Sequence, residues 1–178
     1  NGRAGETDGY RALRDALAAK QVPYVALGEG DLIRYGSSRI EFFAPSPGEF
    51  LSEELNDTSL VFRLSVGGVA ALYTGDIGAA VEERLAAEGN VTSDILKVPH
   101  HGSRFSSGSR FLTAVDPKVA VIEVGKNSYG HPTSAAIQRL GSVGATVFRT
   151  DRHGTIHVVP RGSNMQVFTE KVGNVDKK

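Results

Sequence analysis

Residues 59–76 read SLVFRLSVGGVAALYTGD. Two apolar runs, Ser59 to Val66 and Val69 to Thr74, flank Gly67-Gly68, and a glycine pair supplies the positive φ that a two-residue hairpin turn requires. Leu60, Phe62, Leu64 and Val66 fall on one face of the first strand. The second run ends in Tyr73-Thr74-Gly75-Asp76, so an apolar strand delivers a carboxylate at its exit. Ile77 to Ala87 then reads as an Ala-rich helix closed by Gly89, and Thr92 to Pro99 as an apolar strand that runs into His100-His101. A strand, a helix and a second apolar strand in succession define an α/β class.

The pattern extends in both directions from this core. Downstream, a Ser/Gly-rich loop leads to helix Ser109 to Val115 and strand Val119 to Val124. The loop Gly125 to His131 follows, with Pro132 at the start of helix Thr133 to Leu140. Strand Thr146 to Arg149, a polar turn Thr150 to Gly154 and a closing strand Thr155 to Val159 complete the series. Upstream, Tyr10, Leu13 and Leu17 recur at helical spacing after a Thr7 or Asp8 cap. Val22 to Leu27 reads as a strand. Leu32 to Tyr35 and Ile40 to Phe43 form a hairpin around Gly36-Ser37, ended by Pro45 and Pro47.

With 178 residues, 40% of them hydrophobic, one domain is expected (residues 1–178), and a chain of this size buries roughly 70% of its unfolded surface without staples. No cysteine is present, so any metal must be held by His and carboxylate. Twenty basic and twenty acidic residues cancel, which excludes the broad positive footprint of a duplex-binding domain and leaves local contacts. The sequence contains no apolar run of roughly 20 residues, the length needed to span a bilayer. The stretch Asn1 to Tyr10 lacks the charged and apolar regions of a signal peptide. The chain is expected to be soluble and cut from something longer.

Three loops at strand ends concentrate the chemistry. Asp76 follows a strand and a glycine; such a carboxylate bridges two divalent ions where a partner exists, although Gly-Asp is commonly a plain turn or helix cap. His100 and His101 leave the next strand. Neighbouring strand residues point opposite ways, so one imidazole can face a metal while the other faces substrate, the alternative being two surface histidines. Lys126, Asn127, Tyr129 and His131 precede a helix N-terminus in an arrangement suited to an anion such as phosphate, the alternative being a solvated loop. Asp151 and His153 read as a polar turn.

The runs Asn56-Asp57-Thr58-Ser59-Leu60-Val61, Tyr73-Thr74-Gly75-Asp76, Lys97-Val98-Pro99-His100-His101-Gly102-Ser103, Gly125-Lys126-Asn127-Ser128-Tyr129-Gly130-His131-Pro132 and Thr150-Asp151-Arg152-His153-Gly154 follow one another in order. This series resembles the metallo-β-lactamase-like domain of the ComEC family of competence DNA-uptake channels, over about residues 50 to 159 of the sequence. The resemblance implies an αββα sandwich, two Zn²⁺ or Mn²⁺ ions and hydrolysis of a phosphodiester. It implies that Asp76 is a bridging ligand and that His100 or His101 ligates a metal. Asn56 stands where many relatives carry a ligating histidine, and is then at most a weak ligand or a substrate contact. Ser103, Lys126, Asn127 and Tyr129 would lie at the phosphate, and His131 would donate the proton to the leaving oxygen. The implied partners are single-stranded DNA and a polytopic membrane channel, with this domain on the extracytoplasmic side of the cell membrane, degrading the strand that is not imported.

One departure from the family pattern is large. The superfamily motif H-x-H-x-D-H is absent, since no histidine precedes residue 100. The expectation is that it lies N-terminal to residue 1, that the chain lacks the first portion of the sandwich, and that alone it binds metal poorly and cleaves little. Two other functions fit the residues. A choline-phosphate esterase shares the His-His-Gly stretch and acts on small phosphodiesters, and a non-catalytic nucleic-acid-binding module would use the same loops with no metal.

Overall fold

In the computed structural model, residues 5, 7–46, 48, 54–162 and 164–172 are described. Pro47, expected to help end the first hairpin, lies outside them. The elements run α1 (Asp8–Ala19), β1 (Leu32–Tyr35), β2 (Ser38–Ala44), a single turn at Leu55–Thr58, β3 (Val61–Val66), β4 (Val69–Tyr73) and α2 (Ala79–Glu88). They continue with β5 (Ile95–Lys97), a turn at Pro99–Gly102, α3 (Ser109–Val115), β6 (Val119–Ile122), α4 (Ser134–Ser142), β7 (Thr146–Arg149), the one-turn α5 (Thr150–His153), β8 (Ile156–Arg161) and β9 (Asn164–Thr169).

Strands β1 to β7 form one mixed sheet in sequence order. Strands β1 to β4 are antiparallel, with tight turns joining β1 to β2 and β3 to β4 and a longer connection joining β2 to β3. Helical crossovers through α2, α3 and α4 make β4 to β7 parallel, because a parallel neighbour needs a long connection. β8 and β9 pair as a separate hairpin. The α/β class expected from the sequence is what the sheet and its helices show.

Alternation along the strands assigns the two faces of the large sheet. Leu72, Leu96, Ala120, Ile122 and Val147 meet Val81, Leu85, Phe111, Leu112, Val115 and Leu140 of the helices in one buried cluster. The opposite face presents Leu64, Val66, Ala71, Tyr73, Ile95 and Val121 to a cavity of about 380 Å³, roofed by Ile156, Val158 and Pro160 of β8. Phe62, Leu64 and Val66 share a face as their spacing requires, and that face is the half-covered one; Val61 and Arg63 point toward the helices. Arg63 is held there by Glu41 at 2.8 Å and by the carbonyls of Asn90 and Thr92.

Local signals set most boundaries. Thr7 caps α1 by accepting from Tyr10 N–H, and Thr133 caps α4 by accepting from Ala136 N–H. Gly89 closes α2 in the left-handed conformation. Other expectations need correction. Val22 to Leu27 forms no strand: Pro23 removes an N–H, and Val22, Tyr24 and Val25 are exposed with no neighbouring strand, among the described residues, to complete a ladder. The strand expected from Thr92 is only three residues long, since Asp94 is spent on Ala70 N–H and Lys118. Helix α2 begins at Ala79 rather than Ile77, after Gly78 donates to the Asp57 carboxylate at 2.7 Å. Strand β9 was not read from the sequence at all. None of the α1 residues is buried, and among the described residues no helix is long and apolar enough to cross a membrane.

Candidate functional site

The three polar loops open on one edge of the sheet, where β4, β5 and β6 end together. Gly75 sits at φ 54, and a Cβ there would lie 2.6 Å from the Ser59 side chain, so only glycine permits the turn. Ser59 Oγ then accepts from Asp76 N–H at 3.3 Å, and Thr74 Oγ1 donates to the Lys97 carbonyl at 2.8 Å. These contacts tie the end of β4 both to the Leu55–Thr58 turn and to β5. Asp76 projects from this frame with Oδ1 3.6 Å from Lys97 Nζ and Oδ2 3.5 Å from His101 Nε2. Lys97 Nζ also donates to the Gly75 carbonyl at 3.0 Å.

The histidine turn is strained. His100 (φ 47, ψ 42) and His101 (φ 54, ψ 25) are both left-handed, a conformation costing non-glycine residues about 1–2 kcal/mol each. Such strain is retained where the surroundings over-determine it, often at functional sites. Here His100 N–H donates to the Gly75 carbonyl, and Ser103 N–H to the His100 carbonyl. Gly102 lies so close to Pro132 that a Cβ would sit 2.7 Å away. The Gly102 carbonyl accepts from both N–H and Oγ1 of Thr133, which joins the histidine turn to the start of α4.

The two imidazoles are not equivalent. His101 Nδ1 lies 2.7 Å from the Glu123 carbonyl, and a carbonyl only accepts, so Nδ1 carries the proton. In the neutral ring Nε2 is therefore a lone pair, and it faces the Asp76 carboxylate. Two acceptors 3.5 Å apart call for a positive charge between them, either a proton on the ring or a cation. A backbone carbonyl that fixes the tautomer of a histidine in this way is the usual support of a metal ligand. His100 instead packs edge-on against His131, ring centroids 5.6 Å apart.

His131 sits within the Gly125 to His131 loop, whose cavity of about 350 Å³ is lined by His101, Glu123, Lys126, Asn127, Tyr129 and His131. Burial, then His100 and His101, hold the His131 imidazole below its ordinary range, with Asp76 pulling the other way. Asn127 is spent on its own loop: its amide donates to the Gly125 and His131 carbonyls and its oxygen accepts from Tyr129 and His131 N–H. It shapes the loop and leaves Lys126 and Tyr129 to face outward. Ser103 is buried and accepts from Phe105 N–H. Asn56 is exposed in the turn beside Asp57 and Ser59. Asp151 is engaged by Arg149 through two hydrogen bonds, and His153 is buried, accepting from Arg149 N–H; both serve the turn.

Several contributors carried no assigned role in the sequence. Lys97 is within reach of Asp76, and its position two residues after Ile95 on the cavity-facing side of β5 could have placed it there. Glu123 contributes its carbonyl, and Thr150 brackets Val124, accepting from its N–H and donating to its carbonyl, each at 2.7 Å. Backbone acceptors and long-range brackets leave no residue-type signature.

The donors Asp76 and His101 are of the type that suits Zn²⁺ or Mn²⁺. As a pair they fit one edge of a metal centre, while among the described residues no group of three His, Cys, Asp or Glu clusters to complete one. A mixed α/β domain with a carboxylate–histidine pair and an anion-suited loop on one rim is the class that fold and site define.

Sequence comparison narrows it. The chain is 35% identical over 145 residues to ComE operon protein 3 of Bacillus subtilis, covering 79% of this chain and 18% of that protein. It is 40% identical over 119 residues to competence protein ComA of Neisseria gonorrhoeae, 65% of this chain and 17% of that one. Recombination protein 2 of Haemophilus influenzae is 31% identical over 120 residues, 67% of this chain and 15% of that protein. No family model matches the chain. The chain is thus similar to proteins named for competence and recombination, and it spans less than a fifth of the length of these relatives, at 18%, 17% and 15%.

Proposed function

We propose that this chain is the C-terminal part of a metallo-β-lactamase-like domain of the ComEC type, and that it hydrolyses phosphodiesters of DNA during uptake. The observation that carries the proposal is the His101 lone pair turned toward the Asp76 carboxylate and locked there by the Glu123 carbonyl. The sandwich reading draws support from the β8–β9 hairpin lying over the half-covered sheet face, opposite the helices. In the parent protein the domain accompanies a membrane channel on its extracytoplasmic side and degrades the strand that is not imported.

Asp76 and His101 would hold one divalent ion of a two-ion Zn²⁺ or Mn²⁺ centre, the remaining ligands coming from outside the described residues. A bound ion would lower the pKa of water toward about 7 and offset charge at phosphorus. The chain's own residues do the rest. Lys97 and Lys126 place positive charge on either side of the rim, where a phosphodiester oxygen gains from it. Water adds to phosphorus and gives up a proton to solvent, the bond to the leaving oxygen breaks, and the protonated His131 ring supplies the proton that this oxygen needs, regaining one from solvent after release. Burial, His100 and His101 lower the proton affinity of His131 in the free protein, and the negative charge of a bound phosphodiester acts in the opposite sense, favouring the protonated ring when the proton is required.

Single-stranded substrate is supported by two exposed rings. Tyr129 is 81% exposed on the site loop, and Phe105 is 73% exposed four residues after His101 with the Arg104 guanidinium over its ring. Unpaired bases stack on such rings without regard to sequence. The test is cleavage of a labelled single-stranded oligonucleotide by the full-length parent protein with Mn²⁺ or Zn²⁺, beside its Asp76→Ala variant. Metal-dependent cleavage lost in the variant supports the proposal. Equal DNA binding with no cleavage in either protein would make this a binding module, and turnover of a small phosphodiester alone would make it an esterase.

A further inference from the structure

Beneath the rim, a buried glutamate and a half-buried arginine converge on the loop that follows the histidine turn. Glu82, in the first turn of α2 and 1% exposed, accepts from the backbone N–H of Ser107 and, at 2.8 Å, from that of Gly108. Arg139, on α4, donates to carbonyls of the same loop: to Ser107 at 2.7 Å, to Ser106 at 2.7 Å and to Arg104 at 3.1 Å. Ser107 is held at φ 60, a conformation that a serine keeps only when its surroundings impose it.

Each partner is rooted in a segment that carries a group of the rim. Helix α2 starts three residues after Asp76, and α4 starts three residues after His131, with Thr133 holding the Gly102 carbonyl. The gripped loop is the continuation of His100–Ser103. We propose that Glu82 and Arg139 form a charged clamp that fixes the Asp76, histidine and His131 loops relative to one another, and that neutralising the Glu82 carboxylate releases one of its hydrogen bonds. Both are positioning residues, and the clamp does not depend on which reaction the rim performs.

The chemistry of release is simple. A carboxylate accepts from both N–H groups, whereas a carboxylic acid keeps one acceptor and turns an O–H toward the other donor. The charged groups acting on Glu82 are Arg139 from α4 and Glu83 from its own helix, and the loop contributes the two amides. Burial pushes the Glu82 carboxyl up to about 7, against the pull of Gly108, Ser107 and Arg139 and with a small push from Glu83. The clamp therefore changes state near neutrality. A carboxyl that holds its proton more tightly in the folded chain adds stability below its ordinary value of 4.5, and this is lost as pH rises through about 7. Ionisation thus orders the loop while lowering the stability of the whole.

Backbone amide NMR of the chain across neutral pH tests this. The Ser107 and Gly108 N–H resonances are expected to titrate together with a midpoint near 7. In Glu82→Gln that titration disappears, and hydrogen exchange at His100 and Ser103 quickens by at least about tenfold, the loss of one charge-assisted hydrogen bond. Resonances of Ser107 and Gly108 that stay flat through neutrality in the wild type, or unchanged exchange at His100 and Ser103 in Glu82→Gln, would overturn the clamp. Should Glu82→Gln fail to fold, the wild-type titration and Arg139→Lys decide. Lysine keeps the charge without the fork, so the titration persists while exchange at the same two amides quickens; unchanged exchange counts against the clamp. None of these readouts requires cleavage or a metal, so they are unaffected if the nuclease proposal fails.

Discussion

The two faces of the large sheet are built from the same kinds of side chain and end differently. On the helix side Leu72, Leu96 and Ile122 are wholly buried. On the other side their neighbours Tyr73, Lys97 and Glu123 emerge at a cavity roofed, among the described residues, by β8. A one-residue step along each strand therefore separates core from rim. The sealed face supplies rigidity, and the half-covered face supplies access, so the site lies where the two meet, at the strand ends. The same contrast holds along the chain: α1 and the Val22 to Leu27 stretch have amphipathic or strand-forming patterns and bury no residue fully, whereas α2, α3 and α4 each bury one face.

The largest effect expected from this contrast is on chemistry without a matching effect on fold. Asp76→Ala in the full-length protein should lower metal-dependent phosphodiesterase turnover by at least about 10³-fold, roughly 4 kcal/mol, since the ion loses a ligand. Its denaturation midpoint should move little, because the carboxylate is partly exposed and its nearest partners are 3.5 and 3.6 Å away. A large loss of stability with turnover intact would break the separation of rim from core.

Next in size is the sealed face. Leu96→Ala should cost about 3 kcal/mol in urea unfolding, from lost burial and a residual cavity. Ile95→Ala, one residue along and facing the cavity, should cost about 1 kcal/mol because its side chain is only partly withdrawn from water. Equal losses would mean that the second face is as well covered as the first. Smaller again, Phe105→Ala and Tyr129→Ala should each weaken binding of single-stranded DNA by about 1 kcal/mol or more per lost stack, read by fluorescence anisotropy, while duplex affinity holds. The smallest effect is reserved for Arg110→Ala: its pair with Glu83 is exposed on both sides, so thermal unfolding should shift by less than about 0.5 kcal/mol.

What was legible in the sequence was what short-range rules decide. Gly67-Gly68 marks a hairpin, Thr7 a helix start and Gly89 a helix end, because each acts within one turn of its own position, whereas the helix expected from Thr133 starts at Ser134 with Thr133 as its cap. Val22 to Leu27 failed for the opposite reason: a strand exists only with a neighbour, and pattern alone names none. The site divides in the same way. Asp76, His101 and His131 were identifiable as residues that finish strands or precede a helix. The choice of His101 over His100 as the imidazole facing Asp76 rests on a carbonyl 22 residues away. The commitment of Asn127 to its own loop, and of Ser103 to a buried position, likewise depends on partners that residue type does not announce. Glu82 reads as an ordinary helical glutamate until the loop it grips is seen beside it.

Asp76 Oδ2 and His101 Nε2 face each other at 3.5 Å, and the proposed function requires that they hold a cation between them. Titrating the isotope-labelled chain with Mn²⁺ and following paramagnetic broadening tests it directly. Weak binding is expected, with broadening centred on Asp76 and His101, spreading next to His100 and His131, and abolished by Asp76→Ala. Broadening centred elsewhere, or unchanged at His101 after Asp76→Ala, would contradict it.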